Sequence, residues 1–354
     1  MRKLFTPLIL KNHTLKNRVV VSPMCQYSAE NGYATDWHLV HLGQYAIGQV
    51  AAIIQEATAV VPEGRITYAD LGIWDDTHIE KLKQITAFIK QQNCVPGIQL
   101  AHAGRKASCE KPWINRNQIA PSQINGWQTV SSSDIPFNVE DVKPKALSKK
   151  QIINTIEAFK QATRRAIEAG YEIIELHGAH GYLIHQFFSP LINNRTDEYG
   201  GSFENRIRFV TELVTAIKPL LTTQSLWIRI SATDWAEGGW NVEESVKLAK
   251  ILQEMGVEVI DVSSGGAVRH QKITSGPNYQ VPFAEIIKKQ SSLITGTVGL
   301  IKTGIQAEDI LEKEKADFIL LGREFLRDPH FVMNAAVELN EDIAWVPQYE
   351  RGKE

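Results

Sequence analysis

A chain of 354 residues with 43% hydrophobic and 22% charged side chains has an ordinary globular composition, long enough for one large α/β domain or two smaller ones. A formal net charge of −2 argues against a nucleic acid or an anionic membrane as partner, since either calls for a broad basic face. Three scattered cysteines, Cys25, Cys94 and Cys109, form no C-x-x-C pair and speak against a disulfide framework or an iron–sulfur cluster.

The stretch from Met1 to Leu8 breaks off after a few apolar residues without a signal-peptide core, and no run reaches the roughly 18 apolar residues of a membrane span. A soluble, cytoplasmic protein is expected. From about residue 18 to 340, strand-like runs alternate with helix-like segments. The strand candidates are residues 19–22, 51–57, 97–101, 172–177, 226–231, 259–263, 293–296 and 318–322, eight in all. Residues 148–169 repeat Ile152, Ile153, Ile156, Phe159 and Ala162 at helical spacing, and 203–220 do so with Ile207, Val210, Leu213, Val214 and Ile217. Eight β-then-α units predict a parallel sheet, and its closure gives a (β/α)8 TIM barrel, one α/β domain over residues 1–354. No G-x-G-x-x-G follows an early strand, which argues against an open dinucleotide-binding sheet.

Two segments exceed a minimal barrel. Residues 105–145, after the third strand, are rich in Pro, Ser, Asn and Gln and include Trp113 and Trp127; an irregular rim excursion of this length reads as a lid or substrate wall. The tail, 341–354, carries Trp345, Tyr349 and Arg351, a content that suggests docking, either as a cap on the barrel or on a neighbouring subunit.

Barrel enzymes carry their chemistry at the C-terminal ends of strands. The fourth strand end is the densest, with His177, His180 and Tyr182 within six residues, and Gly178 and Gly181 allow the open turn that lets all three converge. The first strand ends in Ser22-Pro23-Met24-Cys25-Gln26-Tyr27, the third in Gln99-Leu100-Ala101-His102, and the fifth in Arg229-Ile230-Ser231. The seventh and eighth lead into loops containing Gly299 and Gly322-Arg323, where a barrel usually binds phosphate. An inward Arg229 calls for an anion or a ring carbonyl, or else a core ion-pair partner. Flavin mononucleotide satisfies both the phosphate loops and Arg229, and Gln99 offers a donor and an acceptor to the same ring.

Five motifs then carry a family resemblance: Ser22 to Tyr27, His102-Ala103-Gly104-Arg105-Lys106, His177 to Tyr182, Asn194 to Ser202 followed by Glu204-Asn205-Arg206, and Gly322-Arg323-Glu324. In this order, over Phe5 to Arg351, the chain resembles the Old Yellow Enzyme family, in particular its NADPH dehydrogenase and xenobiotic reductase branch with a cysteine beside the flavin. The resemblance implies FMN held by Ser22, Pro23, Met24, Cys25, Ala57, Gln99, Arg229, Gly322 and Arg323, with NADPH or NADH as reductant. It implies substrate contacts from Tyr27, His177 and His180, Tyr182 as proton donor, and Arg351 reaching a neighbouring subunit's site in a homodimer or homotetramer. The expected oxidants are α,β-unsaturated carbonyl, nitro or quinone compounds, each presenting an oxygen to the histidine pair as hydride arrives.

Other readings of the same residues remain. His177, His180 and His102 are the ligands a metal-dependent barrel hydrolase would use. A flavoprotein acting on tRNA calls for a basic patch or an added RNA-binding domain, and neither is visible. Cys25 alone reads as a small buried hydrophobe or as a sulfur tuning the flavin, and Asp197, Glu198 and Glu204 with Arg195 and Arg206 as a loop-fixing charge network.

Overall fold

In this computed structural model, which describes residues 1–353, eight parallel strands close into a barrel in chain order. They are β1 (Val19–Val21), β2 (Ala52–Ala59), β3 (Val95–Ala101), β4 (Ile173–Gly178), β5 (Ser225–Ser231), β6 (Val259–Ser263), β7 (Ile294–Thr297) and β8 (Phe318–Leu321). All eight expected strands are present. Around them run α1 (Asp36–Ile47), α2 (Ile79–Gln91), α3 (Lys149–Glu168), α4 (Leu183–Phe188) and α5 (Phe203–Ile217). The second half adds α6 (Val242–Glu254), α7 (Val281–Gln290), α8 (Gly304–Glu312), α9 (Arg323–Arg327) and α10 (Phe331–Glu338).

Helix α3 begins where Ser148 and Gln151 satisfy each other's backbone N–H groups as a capping box, and it buries Ile152, Phe159, Ala162 and Ala166. Helix α5 stops at Ile217, short of the expected 220, because Pro219 tightens 218–220 into a 3-10 turn.

The period of two along each strand separates an outer layer from the barrel interior. On β4, Ile174 and Leu176 join the apolar layer beneath the helices. Ile173 instead clusters with Val20, Ile54, Trp227, Val259, Phe318 and Leu320, and with Leu8, Leu10 and Leu15 of the N-terminal segment. That segment is a hairpin pairing Leu8–Ile9 with Thr14–Leu15, and it packs its leucines onto the barrel's lower end. Above this apolar floor the inward positions turn polar. Strand pairing sets Glu175 beside Gln99 and Trp227, His177 beside Arg229, and Arg229 beside Asp261.

The excursion has more order than its composition suggests. Val130–Ser131 pairs in parallel with Lys145–Ala146, and the Arg105 guanidinium donates to the carbonyls of Ile135, Pro136 and Ala267. These buried charge-assisted bonds fasten the segment to the rim. In the tail, residues 347–352 form a 3-10 turn, Val346 is buried, and the Tyr349 ring meets His330 edge-on at 5.6 Å. Among the described residues no helix is long and apolar enough to cross a membrane.

Candidate active site

A cleft of about 320 Å³ opens at the C-terminal ends of β1, β5, β6, β7 and β8. Ser22, Pro23, Met24, His180, Arg229, Gly299, Gly322 and Arg323 line it, so eight of the expected site residues share one cavity. Gly299 lies at φ +135°, outside the range of ordinary L side chains, and lets the loop after β7 turn back over Gln280. Arg229, Lys302, Arg323 and Arg327 bring positive charge to the cleft, while its one carboxylate, Glu324, is engaged by Arg327 at 2.7 Å. A cationic mouth built from loop backbone and guanidinium groups fits a phosphorylated cofactor, and its size lies in the range of small-molecule sites.

The histidine motif converges as its spacing predicts. The His177 ring lies 5.3 Å from that of His180 and 4.9 Å from that of Tyr182, both edge-on. His177 is buried, and its Nδ1 accepts from the Ala179 N–H at 3.4 Å. Burial, followed by the nearby charge of Arg229, pushes both imidazoles well below their usual pKa. His177 is therefore neutral with its proton on Nε2. His180 Nε2 lies 2.7 Å from Ser263 Oγ, and Ser263 donates to Gln280 Oε1 at 3.3 Å. The Ser263 oxygen thus accepts from His180 Nε2–H. Burial drives the Tyr182 phenol well above its ordinary pKa, so it stays protonated.

The other expected cofactor residues, Gln99, Ala57 and Cys25, lie outside this lining. Gln99 is buried and its amide donates to Glu175 Oε1 at 2.8 Å. Arg229 Nε pairs with Asp261 Oδ2 at 3.1 Å, so Arg229 lines the cleft and is also a core ion-pair partner. Ala57 borders a second, small cavity together with His177, Tyr182 and Asp70. Burial and the nearby Asp70 and Glu56 carboxylates raise the Cys25 thiol far above its usual range, which keeps it a thiol at neutral pH. Tyr27, at φ +51°, meets Trp113 of the excursion edge-on at 5.9 Å.

Two candidates lie elsewhere. His102 Nδ1 accepts from the Gly104 N–H, and its ring lines a separate cavity with Val61, Val130 and Leu147. The three histidines of the hydrolase reading are thus not assembled, and no metal-holding group of His, Cys, Asp or Glu occurs among the described residues. Arg351 is exposed on the tail of its own chain. Sequence reasoning missed Ser263, Gln280 and Lys302 in the cleft and Asp70 beside Tyr182. Ser263 was in view as a strand end; the others lie in loops or a helix cap without a local motif.

The NADH:flavin oxidoreductase / NADH oxidase family matches this chain over residues 3–342. The chain is 48% identical to the NADPH dehydrogenase of Bacillus subtilis (strain 168) over 353 residues, 99% of each chain. It is 47% identical to that of Geobacillus sp. (strain WCH70), over 99% of this chain and 98% of the relative. Its fold matches morphinone reductase solved in complex with tetrahydroNAD, with a TM-score of 0.79 and 25% identity over 98% of this chain and 93% of that one.

Proposed function

We infer the reaction from one premise: the chain belongs to the NADH:flavin oxidoreductase / NADH oxidase family and is an FMN-dependent NADPH dehydrogenase of Old Yellow Enzyme type. The finer proposal is ene-reduction. When bound, FMN would supply hydride chemistry between NADPH and the β-carbon of an alkene conjugated to a carbonyl, or a nitro or quinone acceptor.

The chain's own groups supply the rest. Gly299, Gly322 and Arg323 would hold the phosphate end, with Ser22, Pro23, Met24, Cys25, Ala57, Gln99 and Arg229 around the ring. His177 offers its Nε2–H as a hydrogen bond to the acceptor's oxygen, and His180 offers the Nε2–H that here meets Ser263. Both are neutral, so they polarise that oxygen by hydrogen bonding alone. Tyr182 keeps its proton until the α-carbon takes it. Cys25 remains a thiol and contributes a polarizable contact rather than a nucleophile. Tyr27 borders the acceptor, backed by Trp113.

The convergence of two neutral imidazoles and a protonated phenol beside one cationic cleft carries this reading. Purified protein should be yellow and should bleach on anaerobic addition of NADPH, then recover its colour with an enone. A preparation that bleaches but recovers only with oxygen sinks the ene-reduction part. We further propose a homodimer or homotetramer in which Arg351 reaches the neighbouring subunit's mouth. Its exposure, and that of the apolar Leu326, Val337 and Tyr349 towards the same end of the chain, support that reading.

A further inference from the structure

Beneath the cleft the barrel encloses one cation and two acids. Arg229, Glu175 and Asp261 are all buried, and Asp261 and Glu175 are wholly inaccessible. Although neither of its oxygens makes a hydrogen bond, Asp261 forms an ion pair with the guanidinium, Nε to Oδ2 at 3.1 Å. Glu175 does not; its one partner is the neutral amide of Gln99, and its Oε2 is buried without a partner. The other titratable groups near the guanidinium are His177, paired with Arg229 across the strands, His180 and Tyr279; both imidazoles are pushed to the neutral form and the phenol is raised, so none adds a charge. Below lies the apolar floor of Ile173, Trp227, Val259 and Phe318, which offers no counter-charge.

Two buried carboxylates around a single guanidinium would leave one negative charge uncompensated, which a dry interior penalises heavily. The position of the guanidinium decides which acid gives way: Asp261 keeps its charge and Glu175 does not. We propose that Glu175 is a permanent carboxylic acid that holds Gln99, and that ionised Asp261 is the positioning residue that sets the place of Arg229 and the charge it presents to the cofactor. The direction of burial on Glu175 agrees, its carboxyl being pushed well above the usual range. The link to FMN rests on the reading above; the protonation state of Glu175 does not.

Two measurements on the holoenzyme separate these. An infrared difference spectrum between wild type and Glu175→Gln at neutral pH should lose one carboxylic-acid C=O band; loss of a carboxylate band instead overturns the proposal. This arm holds whether or not FMN is bound. The midpoint potential of bound FMN should rise in Asp261→Asn by at least tenfold in the reduction equilibrium, about 30 mV for a two-electron couple, because a negative charge has gone. Glu175→Gln, which exchanges one neutral group for another and still accepts from Gln99, should move it by less. Equal shifts in both variants would show two ionised acids and end the argument. If Asp261→Asn does not fold, the infrared arm decides alone.

Discussion

Lys106 Nζ donates to the main-chain carbonyl of His180 at 2.9 Å, and His180 stands in the left-handed region at φ +58°. The His180 N–H is held from the other side by Ser231 Oγ at 2.9 Å. A non-glycine residue in this conformation persists only where its surroundings impose it, and here one ammonium and one hydroxyl do so.

Replacing Lys106, which does not itself line the cofactor cleft, with Met should therefore loosen His180. A hydrogen bond to a charged group contributes about 1.5–3 kcal/mol, so kcat/KM for the oxidant should fall roughly tenfold to a hundredfold while FMN affinity holds. Burial, then Arg105, lowers Lys106 to about 8. Its charge is thus present below pH 8 and lost above it, and the wild-type oxidant KM should climb past pH 8. In Lys106→Met that climb should be absent; an unchanged profile would exclude the role.

Tyr182→Phe removes the proposed proton donor and leaves the histidine pair in place. Enone reduction should slow by about 10²–10⁴, the usual range for a positioned general acid. Stopped-flow reduction of the enzyme by NADPH should proceed at the wild-type rate. Slowing of both half-reactions would indicate a packing role instead.

His177→Ala removes the Nε2–H donor. A lost oxyanion contact costs about 10²–10³ in turnover, and binding of a phenolate-type inert ligand, followed by its charge-transfer absorbance, should weaken in parallel. Retained inhibitor affinity with lost turnover would place His177 outside the oxygen-binding role.

Asp70 is buried beside Tyr182 and accepts from the Ile66 and Thr67 N–H groups and the Thr67 hydroxyl. Burial raises it from 3.8 to about 7. Between those values the folded state binds the proton and the unfolded chain does not. Its contribution is therefore full below pH 3.8 and lost as pH rises through 7, a swing of roughly 4 kcal/mol. Thermal unfolding of wild type and Asp70→Asn from pH 4 to 8 should show the wild-type advantage shrinking with pH. Parallel curves would refute the shift.

Arg351→Ala should raise the oxidant KM several-fold without altering the molecular mass in solution or the flavin content. Kinetics beside light scattering test it; an unchanged KM would confine the tail to its contacts with His330 and its own chain.

The barrel was readable because β-branched and apolar runs such as 259–263 carry both burial and period, and its eight strands fall where those runs lie. The His177 motif was readable because its members sit within six residues on one strand end. The charged level was not. Gln99, Glu175, Arg229 and Asp261 come from four neighbouring strands far apart in sequence, and only the pairing of β3 to β6 brings them together inside the barrel. Glu175 looks from sequence like a polar interruption of a strand, and nothing local marks it as buried. The order within 105–145 was equally hidden, because the bonds that fix it come from Arg105 to carbonyls about 30 and 160 residues away.

The barrel's lower end is stoppered by Trp227, Phe318 and the leucines of the N-terminal hairpin. Nothing enters the reaction chamber through that floor. The cleft lined by Arg229, Gly299 and Arg323 opens at the opposite end, so the polar chemistry of this barrel is confined to one mouth and its stability to the other.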